Sequence, residues 1–209
     1  MIEFTPAGFL FDCDGVLCDS LEAAAVAWDE WSATWAPHYD FRRDMVHGVR
    51  AEDTVRQLVS PDVAEEAIVA LEQLELSTVE GTRAIPGAPE LVTSLPAEIW
   101  AVVTSGVRPL ATARLRSAGI PMPVALISAG DVTAGKPDPE PYLAGARALG
   151  IDPTLCVVFE DAPAGIAAGV AAGVGTIIGV GESARVPGAT VVVPDLRSVS
   201  YDRGVLRIV

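Results

Sequence analysis

The sequence is poor in the cationic residues that several functional classes require. It has 14 Lys and Arg against 28 Asp and Glu, which gives a formal net charge of −14. Proteins that bind nucleic-acid backbones or anionic membrane surfaces present many Lys and Arg side chains, so we expect neither partner. A small anionic substrate is still compatible with this composition, because a local cation overrides the overall field.

Histidine and cysteine are also scarce. His38 and His47 are the only histidines, which excludes a metal site built from several imidazoles. The cysteines, Cys13, Cys18 and Cys156, are odd in number and do not have the spacing of metal ligands. We therefore expect no disulfide framework and a reducing, cytoplasmic environment. The N-terminus shows neither the basic region nor the apolar core of a signal peptide.

A long uncharged run is present only at residues 162–181. The run is long enough to cross a bilayer, but it consists mostly of Ala and Gly, contains Pro163 and has no flanking cluster of Lys or Arg. It predicts a small-residue helix packed on a sheet, followed by a strand, and no membrane segment.

The second part of the chain alternates between apolar strand patterns and helical patterns. Strands are predicted at residues 8–13, 99–103, 124–127, 155–159, 176–180 and 190–193, and helices at 88–95, 108–118, 139–149 and 164–172. Residues 203–209 fit a short strand or a tail. This alternation predicts an α/β fold with a Rossmann-like, doubly wound parallel sheet.

Residues 18–83 interrupt the strand pattern with an acidic segment that reads as helical throughout. Four helices are predicted, at residues 20–35, 41–47, 51–58 and 61–78. Ser20 suits the N-cap of the first helix, and Pro61 suits the first turn of the last. Trp28, Trp31 and Trp35 share one face, which indicates packing against neighbouring helices. We refer to residues 18–83 as the helical insert.

The most suggestive stretch is FLFDCDGV, residues 9–16. Alternation along a strand directs Asp12 and Asp14 to the same side. Two carboxylates so close need a cation, or else share a proton and become an acid and a base. A strand that ends in an Asx-type turn gives the same pattern for backbone reasons alone.

Other polar groups follow the remaining predicted strands, at the sheet edge where ligands bind in such folds. Thr104, Ser105 and Gly106 follow one strand and Glu160 and Asp161 another, and the loop residue Lys136 is expected at the same edge. Carboxylates suit Mg²⁺, whereas hydroxyls, free N–H groups and an ammonium suit a phosphate. Each group alone has a structural explanation as a turn, a helix cap or a surface lysine. Their joint occurrence at strand ends favours a site.

Four motifs carry a resemblance to the haloacid dehalogenase-like phosphatase superfamily: FDCDGV (11–16), VTSG (103–106), GKP (135–137) and FEDAPAG (159–165). The similarity in order and spacing covers nearly the whole chain. The helical insert is similar to the four-helix cap of that family. The resemblance thus implies a Rossmann-like catalytic core of residues 1–17 and 84–209 with an inserted cap domain of residues 18–83.

Within the superfamily the sequence looks like sugar and glycerol phosphatases of the 2-deoxyglucose-6-phosphate phosphatase type. The stretches that carry this similarity include HGVR (47–50), IPGA (85–88) and GKPDPEPY (135–142). The implied substrate is a small phosphorylated metabolite, most simply a sugar or polyol phosphate. We expect a monomer, with a weak dimer as the alternative.

The resemblance implies Asp12 as a nucleophile that forms an aspartyl-phosphate, and Asp14 as the acid and base that serves the leaving group and then water. It implies Mg²⁺ as the cofactor. The ligands would be the Asp12 carboxylate, the Asp14 backbone carbonyl and Asp161, with Glu160 acting through water.

The phosphate would be held by the second and third motifs. The resemblance assigns this role to the hydroxyls of Thr104 and Ser105, the Gly106 N–H and the Lys136 ammonium, which would also pair with the carboxylates. In the insert, His47 and Arg50 are the residues expected to face the substrate. Packing is the alternative for His47, and a helix-cap charge is the alternative for Arg50.

Three other functions are alternatives to a phosphatase. Phosphomutases of this fold carry a histidine where this sequence has Ala24, which disfavours a mutase. The dehalogenase branch lacks the second aspartate, whereas Asp14 is present. A non-catalytic binding module would typically have lost the nucleophile or the lysine, and this chain keeps both.

Overall fold

A computed structural model describes the whole chain, residues 1–209. Its strands, numbered in chain order, are β1 (Ile2–Phe4), β2 (Gly8–Phe11), β3 (Cys18–Asp19), β4 (Arg83–Ala84), β5 (Trp100–Val103), β6 (Ala125–Ile127), β7 (Cys156–Glu160), β8 (Thr176–Val180), β9 (Val191–Val193), β10 (Val199–Asp202) and β11 (Val205–Ile208). Its α-helices are α1 (Leu21–Trp35), α2 (Phe41–Asp44), α3 (Ala51–Leu58), α4 (Ala64–Ser77), α5 (Ala88–Ser94), α6 (Arg108–Ser117), α7 (Glu140–Leu149) and α8 (Pro163–Ala171).

The main sheet confirms the predicted α/β class. Six parallel strands run in the order β6-β5-β2-β7-β8-β9. Every residue of β2, β5 and β7 is buried, which explains their near-continuous apolar sequences. Strand β2 lies between β5 and β7, where the strand order reverses, so the crevice at its carboxyl end is the expected ligand position.

Two strand ends near this crevice differ from the prediction. The first strand was expected to reach residue 13 but ends at Phe11, because the Cys13 carbonyl accepts the N–H groups of Leu17 and Cys18 and turns the chain. The strand predicted to end at residue 159 continues to Glu160, which pairs in register with Gly179. The edge of the sheet therefore carries Glu160 on a strand rather than on a loop.

The helical insert contains four helices, α1 to α4, and packs its own apolar cluster. Trp28 and Trp31 are buried at its centre with ring centroids 5.4 Å apart, and the Trp31 indole donates to the Ala67 carbonyl at 2.8 Å. Trp35 is partly buried against the same cluster. The packing role predicted for the tryptophans is confirmed.

Helix ends in the insert were predicted less accurately. The second helix stops at Asp44 rather than at residue 47, because Met45 adopts extended backbone. The last begins at Ala64, since residues 61–63 form a turn in which the Val63 N–H donates to the Ser60 carbonyl. Pro61 is therefore outside the helix. Ser20 does occupy the N-cap position of α1, but its side chain caps no backbone N–H.

Two smaller sheets join distant parts of the chain. Strand β11 confirms the strand alternative for residues 203–209, and it pairs antiparallel with both β1 and β10. Strands β3 and β4 form a short antiparallel ribbon that pairs Cys18 with Ala84 and Asp19 with Arg83. This ribbon ties together the two points where the chain enters and leaves the insert.

The uncharged run at residues 162–181 folds as predicted. It supplies helix α8, in which Gly165 and Gly169 are buried, and then strand β8 of the main sheet. None of the helices in the structure has the length and apolar character needed to span a bilayer.

Candidate active site

The carboxyl ends of three adjacent strands bring the predicted acidic residues together. Asp12 follows β2, Thr104 follows β5, and Glu160 and Asp161 stand at the end of β7. The Asp12 N–H still donates to the Phe159 carbonyl at 3.0 Å, so the nucleophile candidate stays attached to the sheet. Rigid strands, rather than flexible loops, thus fix the spacing of the carboxylates.

Lys136, the only lysine in the sequence, lies at the centre of this group. Its side chain is 0% exposed, and its Nζ is 2.6 Å from Asp12 Oδ1 and 2.7 Å from Glu160 Oε1. The third ammonium proton goes to the Val103 carbonyl, at 3.1 Å. The expectation that Lys136 pairs with the carboxylates agrees with this geometry, and the ammonium is fully coordinated.

Glu160 is held from several directions. Its Oε1 accepts from Lys136 and from the Tyr142 hydroxyl, the latter at 3.0 Å, and its Oε2 accepts from the Ala162 N–H at 2.8 Å. A Cβ on Gly165 would collide with this carboxylate, so only glycine lets α8 begin so close to it. Both carboxylate oxygens of Glu160 accept hydrogen bonds from the protein, and one of these bonds holds the Lys136 ammonium in position.

A metal ion fits this acidic group. One carboxylate oxygen from each of Asp12, Glu160 and Asp161 lies within 4.8 Å of the others. Burial raises the pKa of Asp12 to about 7, although Lys136 opposes this, and burial together with Glu160 and Asp12 raises the pKa of Asp161 well above its usual value. Three carboxylates around one ammonium leave an excess of negative charge that a hard divalent cation would neutralise.

Gly15 allows the first motif to approach Asp161. It has φ +77, and a Cβ at this position would collide with the Asp161 carboxylate. A left-handed backbone and a close contact both require glycine here. The Asp-x-Asp-Gly sequence does form a turn, and that turn serves the acidic group.

Asp14 lies outside the group of candidate metal ligands. Its Oδ1 accepts from the Ser20 hydroxyl at 2.5 Å and pairs with Arg114 Nη1 at 3.0 Å. The hydroxyl expected to cap α1 therefore binds Asp14. The role predicted for Asp14 at the metal is that of a ligand through its backbone carbonyl, and this stays a prediction.

The phosphate-binding candidates also make contacts within the protein. Thr104 is buried, and its Oγ1 accepts the Gly106 N–H at 3.0 Å. The Ser105 hydroxyl donates to the Gly48 carbonyl of the insert at 2.7 Å. A phosphate held by these groups would have to replace the Gly48 carbonyl and compete with Thr104 for the N–H.

A cavity of about 410 Å³ lies between the insert and the edge of the sheet. Both predicted insert residues line it. His47 packs edge-on against Phe41, with centroids 5.9 Å apart, and partial burial lowers its pKa. Arg50 is paired with Asp53 at 2.8 Å and donates to the Thr133 carbonyl at 3.3 Å. His47 is therefore neutral at pH 7, and the charge of Arg50 is already balanced.

Sequence reasoning missed Arg114, Glu75 and Tyr142. Arg114 donates to Glu75 at 3.1 Å and joins the core helix α6 to the insert helix α4. A signal for both was present: each is a charge that interrupts the buried face of an amphipathic helix, Arg114 between Ala111 and Leu115 and Glu75 four residues after Leu71. For Tyr142 the sequence contains no such signal, because a tyrosine at a buried position of α7 is typical of ordinary packing.

Comparison with known proteins assigns the site to a family. A family model described as haloacid dehalogenase-like hydrolase matches residues 6–173. The matched region includes Asp12, Asp14, Lys136, Glu160 and Asp161, so it contains the whole acidic group and its lysine.

Individual relatives agree with this match. Hexitol phosphatase A of Escherichia coli is 43% identical over 165 residues, which cover 76% of this chain and 76% of that protein. 2-deoxyglucose-6-phosphate phosphatase 1 of Saccharomyces cerevisiae is 34% identical over 229 residues, covering 96% of this chain and 92% of that protein. Among solved structures, a hydrolase from Pseudomonas syringae is similar with a TM-score of 0.79 and 27% identity, covering 90% of this chain and 93% of that one.

Proposed function

This chain belongs to the haloacid dehalogenase-like hydrolase family and is a hydrolase of phosphoric monoesters, and we propose that its substrates are sugar or polyol phosphates. We further propose that it requires Mg²⁺ and forms an aspartyl-phosphate, which is an acyl phosphate, on Asp12. The observation that carries the proposal is the buried Lys136 ammonium, which contacts Asp12 and Glu160 beside Asp161.

Asp12 is the nucleophile in this mechanism. Its carboxylate oxygen attacks phosphorus, the bond to the leaving oxygen breaks, and an aspartyl-phosphate forms that water later hydrolyses. The Lys136 ammonium favours the ionised form of this carboxylate through Coulomb attraction, and so opposes the rise in pKa that burial causes. Asp12, Asp161 and, through water, Glu160 would hold Mg²⁺, which when bound shields the attacking anion from the negative phosphate.

Asp14 is the acid and base. It gives a proton to the leaving alkoxide and then takes one from the attacking water. Its carboxyl lines the cavity while one oxygen is anchored by Ser20, which supports a defined orientation. The Thr104 and Ser105 hydroxyls would donate hydrogen bonds to the non-bridging phosphate oxygens, and the buried Lys136 ammonium would stabilise their negative charge through its electrostatic field.

The helical insert acts as a cap in this proposal. We propose residues 18–83 as the cap and residues 1–17 and 84–209 as the catalytic core, with residues 15–20 and 82–86 as the hinges. Support comes from the insert's separate apolar cluster and from the β3–β4 ribbon at the two crossings. Closure would exclude water and bring His47 and Arg50 to the leaving group.

The cavity and the relatives support the proposed substrate class. A volume of about 410 Å³ is within the range of small-molecule sites, and the relatives named above are phosphatases of a hexitol and of a deoxy sugar. We also propose that the protein is cytoplasmic, which agrees with three buried cysteines that form no disulfide. We propose that it is a monomer.

The test is a panel of hexitol, hexose and glycerol phosphates, assayed for phosphate release with Mg²⁺ and with EDTA. The wild type should release phosphate from at least one ester only with Mg²⁺, whereas Asp12→Asn should release none and should keep its melting temperature within a few degrees. Retained turnover in Asp12→Asn would sink the covalent mechanism. Isomerised sugar phosphate instead of free phosphate would identify a mutase.

A further inference from the structure

A buried arginine joins three separate parts of the chain beside the proposed site. The Arg114 side chain, on α6, is 7% exposed. Its Nη1 is 3.0 Å from Asp14 Oδ1 on the loop after β2, and its Nη2 donates to Glu75 Oε1 on α4 at 3.1 Å. The guanidinium thus bridges two carboxylates, one in the core and one in the insert, instead of making a bidentate pair with one.

This bridging position leaves a donor without a partner. The Arg114 Nε is buried and makes no hydrogen bond, which is unfavourable for folding. Burial also opposes the charge of Arg114, but the Asp14 and Glu75 carboxylates outweigh it and raise the pKa of the guanidinium. The arginine is therefore charged and paired with both carboxylates, while its Nε–H lacks a hydrogen-bond acceptor.

Asp14 is held through a single oxygen. Oδ1 receives both the Ser20 hydroxyl, at 2.5 Å, and the Arg114 guanidinium, whereas no protein donor contacts Oδ2. The Asp14 side chain is 32% exposed and lines the cavity. Anchoring one oxygen leaves the other in a defined direction, and a general acid needs this geometry before its acidity matters.

Helix α6 also contacts the chain where it leaves the insert. The Ser117 hydroxyl donates to the Thr82 carbonyl at 3.2 Å, one turn after Arg114. The same helix face thus contacts Asp14, the insert helix α4 and the exit of the insert. A shift of the insert relative to α6 would break the Arg114–Glu75 bond but need not break the Arg114–Asp14 pair, because Asp14 and Arg114 both belong to the core.

We propose that Arg114 is a positioning residue: it orients the Asp14 carboxyl so that Oδ2 faces the leaving-group oxygen, and its bond to Glu75 makes this orientation depend on the seating of the insert. The inference rests on the proposed function, in which Asp14 is the acid and base. No part of this role requires Arg114 to touch the substrate.

The dependence of kcat/KM on the leaving group tests this role, because a purely structural defect would lower kcat/KM equally for all esters. Alkoxide leaving groups need a proton from the acid, whereas 4-nitrophenolate leaves without one, and kcat/KM reports the steps up to its departure. Arg114→Met should lower kcat/KM about 30-fold on a hexitol or glycerol phosphate, which is part of the roughly 10²- to 10⁴-fold that acid–base catalysis contributes. On 4-nitrophenyl phosphate the same variant should lower kcat/KM by less than about threefold. Equal losses on both esters in a folded variant overturn the proposal.

Two further variants keep the test decisive if Arg114→Met folds poorly. Arg114→Lys keeps the charge but cannot bridge both carboxylates, so it should show the same selective loss at near-native stability. Glu75→Gln removes only the insert side of the bridge and should give a smaller loss, again confined to alkyl esters. In an Asp14→Asn background, Arg114→Lys should cause no further loss of kcat/KM on alkyl esters. A further loss equal to that in the wild-type background contradicts the proposal.

A crystal structure of Arg114→Lys separates this inference from the proposed function. The Asp14 carboxyl should take another rotamer and lose its bond to Ser20, and an unmoved Asp14 overturns the positioning role whatever the kinetics show. If the wild type hydrolyses no ester at all, the proposed function fails, while this structure still decides whether Arg114 orients Asp14.

Discussion

The hydroxyl of Ser105 donates a 2.7 Å hydrogen bond to the carbonyl of Gly48, although the two residues are 57 positions apart. Ser105 follows β5 at the edge of the sheet, and Gly48 lies in the loop between α2 and α3 of the insert. At Gly48 the backbone has φ +88, and a Cβ there would be 2.8 Å from the Cβ of Ala162. The insert is thus seated on the edge of the sheet through a contact that tolerates only glycine.

Gly48→Ala should therefore unseat the insert. The added methyl group would push the loop off Ala162 and weaken the bond to Ser105. We expect kcat/KM on a sugar phosphate to fall about 10- to 100-fold, because a displacement of about 1 Å in an active site costs that much. Steady-state kinetics with the best ester of the panel measures this loss.

Gly150→Ala is the matched control for Gly48→Ala. Gly150 also has positive φ, +68, but a Cβ there would meet nothing within 4 Å. Both variants carry backbone strain of about 1–2 kcal/mol, and only one carries the clash. Equal losses of activity would mean that strain, and not the seating of the insert, explains the effect.

The sheet and its acidic edge could be predicted because their signals are local. Buried parallel strands read as continuous apolar runs, and the residue that follows such a run stands at the edge of the sheet. This logic predicts Asp12 and Asp161 at one edge of the sheet, whereas Lys136 was expected at the same edge as a loop residue. The ends of strands do not follow from this pattern, because a turn such as the one at Cys13 depends on which N–H groups its carbonyl accepts.

The contacts between the insert and the core could not be predicted in this way. The Arg114–Glu75 bond joins residues 39 positions apart, and β1 pairs with β11 at the far end of the chain. Such pairs depend on how separately folded units meet, which neither periodicity nor propensity specifies. Ser20 illustrates the same limit: local rules assign it to the helix cap, and the tertiary structure gives its hydroxyl to Asp14.

Lys136 should be chemically silent in the folded protein. Burial lowers the pKa of its ammonium, but the Asp12 and Glu160 carboxylates raise it by more, so the pKa ends well above its usual value. A buried, protonated amine does not attack an acylating reagent. Since Lys136 is the only lysine, intact mass after treatment with an N-hydroxysuccinimide ester should show one adduct, on the N-terminal amine.

Unfolding supplies the internal control for this labelling. The same treatment in concentrated urea should add a second adduct, and peptide mapping should assign it to Lys136. Rapid modification of Lys136 in the native protein would contradict the buried ion pairs. Addition of Mg²⁺ should leave the native pattern unchanged, because the ammonium is buried in either case.

Mg²⁺ should stabilise the protein through the acidic group. A ligand at about 100 times its Kd adds about 2.7 kcal/mol, which for a protein of this size raises the melting temperature by about 5–10 °C. Asp161→Asn should remove most of this shift, since it deletes one of the three clustered carboxylates. Asp202→Asn, whose side chain is 68% exposed, is the matched control and should keep it. Similar shifts in both variants would place the bound ion elsewhere.

Arg50→Ala should affect large leaving groups more than small ones. The stem of Arg50 packs against Gly135, where a Cβ would lie 2.8 Å from its Cγ, and its Nη1 reaches the Thr133 carbonyl. Removing the side chain loosens the insert over the loop that carries Lys136, so we expect about a tenfold loss of kcat/KM on sugar phosphates and less than a threefold loss on aryl phosphates. Arg56→Ala, in the helix α3 that begins directly after Arg50, removes an exposed pair with Glu65 and should change neither. Equal losses on both ester classes in Arg50→Ala would mean that this arginine does not read the leaving group.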